Sequence, residues 1–190
     1  MERWNKIIVL FIATCLLTAC GRKTIHKEVE AKAPGYHTLQ EMEKDCDVIV
    51  CVTRLEEERP VVTLMEGHLV SGYTFSQVRV EQIYQDKSGV LTENDTIRIL
   101  ENEVLSKEEN VIYHIGGYHM MAAGKQYLLF LNQYTDSDKE FYYVAAGGGN
   151  FGTVSLEEDD RITRYQGEET VDTSYFTPIW EAAREKYASK

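Results

Sequence analysis

Two stretches of this chain have no polar face. Residues 47–53 (DVIVCVT) are β-branched and apolar on both sides of an extended chain, and residues 125–132 (KQYLLFLN) form a second, fully apolar run. A strand with one solvated face alternates apolar and polar side chains, so strands that do not alternate need cover on both sides, as inside a barrel or a sandwich. Other segments share the strand period. In residues 72–85 (GYTFSQVRVEQIYQ), Tyr73 and Phe75 share one face whereas Val78 and Val80 point to the other, which predicts a bulge near Ser76 and Gln77. Residues 95–101 put Ile97 and Ile99 on one side, and residues 141–146 and 151–156 flank a glycine run, the pattern of a hairpin.

Helical signals stand at either end. Thr38 with Glu41 fits a capping box, with Leu39, Met42 and Cys46 on one side of the helix that follows. Thr177-Pro178 opens a terminal helix, threonine as cap and proline at the first position. Five or six strands with irregular connections and a helix at each end predict a mostly-β fold: a small antiparallel, OB-like barrel with a short N-terminal and a C-terminal helix. A chain of 190 residues suits one such domain, and 43% hydrophobic residues rule out wholesale disorder. The net charge of -11 opposes a phosphate backbone, so nucleic acid is excluded as a partner.

Arg3 and Lys6 precede an eleven-residue apolar run, 7–17 (IIVLFIATCLL), which is shorter than a comfortable membrane span. It ends in Leu17-Thr18-Ala19-Cys20, which resembles the lipobox of bacterial lipoproteins. That resemblance implies a diacylglyceryl group on the sulfur of Cys20, cleavage just before it, and acylation of the new amino terminus. The expected organisation is a signal peptide over 1–19, a lipidated tether over 20–36 ending in Pro34-Gly35, and a single β-barrel domain with terminal helices over 37–190. The implied partner is membrane lipid, through acylated Cys20, and the implied location is the cell membrane, facing outside the cytoplasm. Cys15 leaves with the leader, so the mature chain keeps Cys46 and Cys51 beside the modified Cys20 and is no disulfide scaffold.

The succession DVIVCV, YTFSQVRVEQIY, NDTIRILE and GKQYLLFLNQY resembles secreted and lipid-anchored proteins of Gram-positive bacteria whose barrel is similar to the OB-type fold of the tissue inhibitors of metalloproteinases. The resemblance covers about residues 45–156 and bears on fold. Inhibitor chemistry does not carry over, because those inhibitors chelate zinc through a free cysteine amino terminus held in a disulfide frame, whereas this chain has Cys20-Gly21-Arg22 and no such frame.

Candidate sites compete with simpler readings. Gly147-Gly148-Gly149-Asn150-Phe151-Gly152 spells G-x-G-x-x-G, but strand-like residues follow where a dinucleotide site needs a helix, so the glycines are assigned to a turn. His114 and His119 are the closest histidine pair. A spacing of five puts them on opposite faces of a strand unless Gly116-Gly117 bends the chain, with Glu103 or His68 as further ligands; aromatic loop packing with Tyr113 and Tyr118 is the competing account. Asp136, Asp138 and Glu140 alternate like calcium ligands, but Phe141 and Gly147 stand where an EF-hand needs glycine and glutamate. No G-x-S-x-G or cysteine-nucleophile signature occurs. The expectation is therefore a non-enzymatic surface binding module with no cofactor, no assigned catalytic or metal residues, and Tyr113, Tyr118, His114 and His119 as ligand-binding candidates. Its ligand would be a cell-wall glycan, a peptide or a protein. The alternatives are a metal-dependent or other hydrolase of the envelope and a structural envelope protein.

Overall fold

The computed structural model describes residues 23–135, 141–157 and 174–187, with the backbone alone at 56–59. Its elements run β1 (Ile25–Val29), α1 (Leu39–Asp45), β2 (Val48–Met65), β3 (His68–Asp86), β4 (Thr96–Glu101), β5 (Glu103–Ser106), β6 (Val111–Ile115), β7 (Gln126–Thr135), β8 (Phe141–Ala145), a 3-10 turn (Gly147–Gly149), β9 (Thr153–Ser155) and α2 (Thr177–Tyr187). The larger sheet has the order β2-β3-β4-β8-β7-β9, and β2 also pairs with β7, so β2, β3, β4, β8 and β7 close into an OB-like ring. Four of its pairings are antiparallel and β4–β8 is parallel. The expected barrel was antiparallel throughout, but strand directions cannot alternate all the way round a ring with an odd number of strands.

The two fully apolar runs are neighbours in this ring, with Val48 to Thr53 pairing Leu131 to Gln126. One face of the pair looks into the barrel, where Val48, Val50, Val52, Leu129 and Leu131 meet Val78, Val80, Ile97 and Ile99. The other face carries Ile49, Leu128 and Phe130 and lies under both helices, against Met42, Cys46, Ile179 and Trp180. Thr38 caps α1 by accepting from the Glu41 amide, while Glu41 Oε2 accepts from His37 N.

β2 and β3 form one long hairpin turned by Glu66 and Gly67, both at positive φ. Their outer halves curl away from the ring, and Val62 and Leu69 pack on Val104, Val111 and Tyr113 of a second sheet, β1-β6-β5. The bulge expected in β3 lies in its partner. Arg54 pairs Val78, Glu57 pairs Ser76 and Pro60 pairs Thr74, so β2 advances three residues for every two of β3. Between Thr74 and Val80 β3 keeps its alternation, with Thr74, Ser76, Val78 and Val80 all buried on one side, and its own extra residues lie on either side of that stretch, where the register shifts at Leu69–Ser71, Val80–Gln82 and Ile83–Gln85. The two inward polar residues have partners: Ser76 accepts from Arg54 Nη2 at 2.9 Å and Thr74 donates to the Glu103 carbonyl at 2.7 Å.

Two further expectations are corrected. The glycine run is not a hairpin turn, because β8 and β9 both pair with the same edge of β7. The chain leaves that edge after Ala146, loops through Gly147, Gly148 and Gly149 at positive φ, and returns at Gly152. Phe130 closes the base of the loop, its carbonyl accepting from Ala146 N and its amide donating to the Gly152 carbonyl, both at 2.9 Å. A Cβ on Gly152 would lie 2.4 Å from Ala146 N, so the pinch admits only glycine. Second, the segment read as a tether contains β1, which pairs in parallel with β6 from Ile25↔Val111 to Val29↔Ile115. Four of its five residues are exposed, which is why no apolar period marks it.

Candidate functional site

The β5–β6 hairpin and the loop after it gather the titratable groups. Glu103 opens β5 and pairs with His114 near the end of β6. Gly116 and Gly117, at φ +65° and +68°, then turn the chain back so that His119 returns over the same hairpin. Glu103, His114 and His119 each bring one donor atom to within 4.8 Å of the others. Glu103 Oε2 is 3.0 Å from His114 Nδ1 and 3.9 Å from His119 Nδ1, with the side chains 14%, 2% and 11% exposed in that order. The Tyr118 carbonyl oxygen lies 3.1 Å from the same His114 nitrogen.

The loop that carries His119 is held from below. Met120 N donates to Glu103 Oε2, and Met121 N and the Tyr118 hydroxyl both donate to Glu101 Oε2, at 2.7 and 2.8 Å. Glu101 is wholly buried opposite Arg54, whose Nη2 is 3.8 Å from its Oε1. Burial pushes the Glu101 carboxyl up, and the bonds from Ser76 and Met121 and the Arg54 charge offset only part of that.

His26, from the exposed strand β1, closes the other side. Its Nδ1 is 2.9 Å from His114 Nε2 and the two rings stack with centroids 5.2 Å apart. Burial and the neighbouring His114 lower the pKa of His26. Burial also acts to lower His114, but the hydrogen bond and charge of Glu103 outweigh it and leave His114 above its ordinary value.

The four ligand-binding candidates divide unequally. His114 and His119 come together, with Glu103 as the further partner; His68 stands at the tip of the β2–β3 hairpin, outside the cluster. Tyr113 and Tyr118 present no binding face, being 4% and 1% exposed. The Tyr113 hydroxyl donates to Glu109 at 2.7 Å, and that bond, with burial, pushes its pKa up to about 12. His26 had no signal of its own, because the parallel pairing that brings it to His114 joins segments 88 residues apart. Cys20 and the calcium-like residues Asp136, Asp138 and Glu140 lie outside the described residues. Cys46 and Cys51 are free and buried.

A separate surface does carry aromatic rings. Tyr73 meets Phe75 edge-on at 5.2 Å, Phe75 meets Tyr142 at 5.2 Å, and Tyr142 stacks with Tyr134 at 6.1 Å. The strip crosses the outer side of the barrel from β3 to β8 and β7, with the Arg98 guanidinium 4.9 Å over the Phe75 ring. Tyr134 is half exposed and the other three rings are half-buried. No protein-family model matches the chain, and no curated protein matches it by sequence.

Proposed function

We propose that the protein is an extracytoplasmic module, anchored to the membrane through acylated Cys20, that binds a cell-wall glycan without converting it. The observation that carries this reading is the continuous strip of Tyr73, Phe75, Tyr142 and Tyr134 rings on the barrel's outer side. It starts on β3, one of the pair of strands, second and third in the ring, that OB barrels use to meet oligosaccharides, and its rings, with two contacts edge-on and one stacked, offer both edges and faces to a sugar chain. The cluster of Glu103, His114 and His119 lies elsewhere, on the smaller sheet and its following loop, and its side chains are too enclosed for a polymer to reach. This argues for binding over hydrolysis. The test is sedimentation of the full chain, purified in detergent, with insoluble cell-wall sacculi. Losing two stacking rings, at about 1 kcal/mol each, should weaken retention about thirtyfold in Tyr134→Ala/Tyr142→Ala. Equal retention of that variant overturns the assignment of the strip, and release of soluble wall fragments by the wild type overturns the non-enzymatic reading.

A further inference from the structure

We propose that Glu103, His114 and His119 form a binding site for a divalent transition-metal cation, zinc by the chemistry of the donors. The site is separate from the aromatic strip and does not depend on what that strip binds. Two imidazoles and a carboxylate suit zinc, whereas calcium and magnesium take oxygen ligands almost alone. The three donor atoms already lie within 4.8 Å of one another, a spread that a small side-chain shift contracts onto one ion.

Convergence alone would describe any histidine packed on a glutamate, but two further features favour a cation. The first is preparation of the donors. His119 rides on a loop locked by the Met120 and Met121 amides and the Tyr118 hydroxyl, all bound to Glu101 or Glu103, so the backbone that carries it is in place before any ion arrives. The Tyr118 carbonyl, 3.1 Å from His114 Nδ1, supplies another oxygen at the same spot. The second is the outer partner. The far nitrogen of His114, Nε2, is met by His26 Nδ1 at 2.9 Å, and a contact to that nitrogen orients an imidazole whose other nitrogen holds a metal. His26 is thus a positioning residue, and the site joins β1 to the β5–β6 hairpin. Beyond its backbone ladder with β6 and the packing of Val29, β1 buries little, since four of its five residues are exposed.

The test uses the full chain in detergent, stripped with a chelator and titrated with Zn2+, and with Co2+ as a visible probe. The wild type should bind one ion, with the absorption of four-coordinate cobalt. Glu103→Gln, close in shape, should weaken Zn2+ binding at least tenfold, and His114→Ala/His119→Ala should abolish it. His26→Ala should keep one ion but weaken its binding about tenfold and shift the cobalt bands. If the double variant does not fold, Glu103→Gln and a single His119→Asn decide the matter. The proposal is overturned if the wild type takes up no zinc, or if Glu103→Gln and His119→Asn bind it as tightly as the wild type. Unchanged cobalt bands in His26→Ala would overturn the positioning role.

Discussion

Glu101 and Arg54 are an ion pair with almost no water around it, so removing one charge should be far more costly than removing both. At 3.8 Å, with an effective dielectric of about 20, their attraction is about 4 kcal/mol. Glu101→Gln keeps an oxygen for the Met121 amide and the Tyr118 hydroxyl but leaves the guanidinium without a counter-charge. We expect it to lose about 3 to 4 kcal/mol, a large part of a domain's usual 5 to 15 kcal/mol. With a urea slope of about 2 kcal/mol per molar, the unfolding midpoint followed by circular dichroism should drop by about 1.5 to 2 M. Arg54→Met should differ in kind, because a buried carboxylate can take up a proton and a guanidinium cannot lose one. Losing the cation pushes the already raised Glu101 further up, so the variant's deficit should be small below the carboxyl's unfolded pKa of about 4.3 and grow as the pH rises through the raised folded value. The double variant Arg54→Met/Glu101→Gln should lie within about 1.5 kcal/mol of wild type. The reasoning fails if Glu101→Gln costs under 1 kcal/mol, if the double variant is no better than Glu101→Gln, or if the Arg54→Met deficit is flat between pH 4 and 8.

Glycine substitutions should separate crowding from backbone strain. Gly152→Ala forces a Cβ to within 2.4 Å of Ala146 N and 2.7 Å of Phe130 O and should cost about 3 kcal/mol or more, whereas Gly124→Ala, at φ +78° with open space around it, should cost about 1 kcal/mol in the same urea assay. The Cys46 thiol, pushed up to about 12 by burial and by Asp45 beside it, should resist alkylation at pH 9 in native protein, as should buried Cys51; peptide mapping should show both modified only after addition of urea. Cells fed labelled palmitate should label the wild-type chain and not Cys20→Ser, and equal labelling of the two would refute anchoring at that position.

What the sequence made legible follows from where the apolar atoms are. DVIVCVT and KQYLLFLN marked the two strands with no solvated face, and the structure places them side by side between the barrel interior and the helices. Thr38 marked the first helix start through its capping bond and Pro178 the second through its fixed φ, although α2 begins at Thr177, which is therefore its first residue and not its cap. β1 was hidden because His26, Lys27 and Glu28 are solvated and owe their conformation to β6 alone. The outer half of β2 was hidden by a charged stretch and Pro60, features that usually end strands. At the cluster, His114 and His119 with Glu103 were legible as a conditional: their spacing fails on a straight strand and succeeds if Gly116-Gly117 turns, which it does. Among the tyrosines of the second half of the chain, the nominated Tyr113 and Tyr118 fill crowded interior positions, whereas Tyr134 and Tyr142 take the surface. Residue type alone cannot separate the two sets, because tyrosine serves both.

Ring closure also sets an order of events. Val48 must find Leu131, eighty-three residues later, and the parallel β4–β8 contact comes later still. A chain emerging from its amino end can form the β2–β3 hairpin early, but the far edge of β2, lined by valine and isoleucine, stays unpaired until β7 arrives. During that interval an apolar, unpaired strand edge is open to other chains. Refolding from urea should accordingly be slow for a chain of this size and should lose yield as protein concentration rises, while a β2–β3 hairpin signal precedes the burial of Trp180.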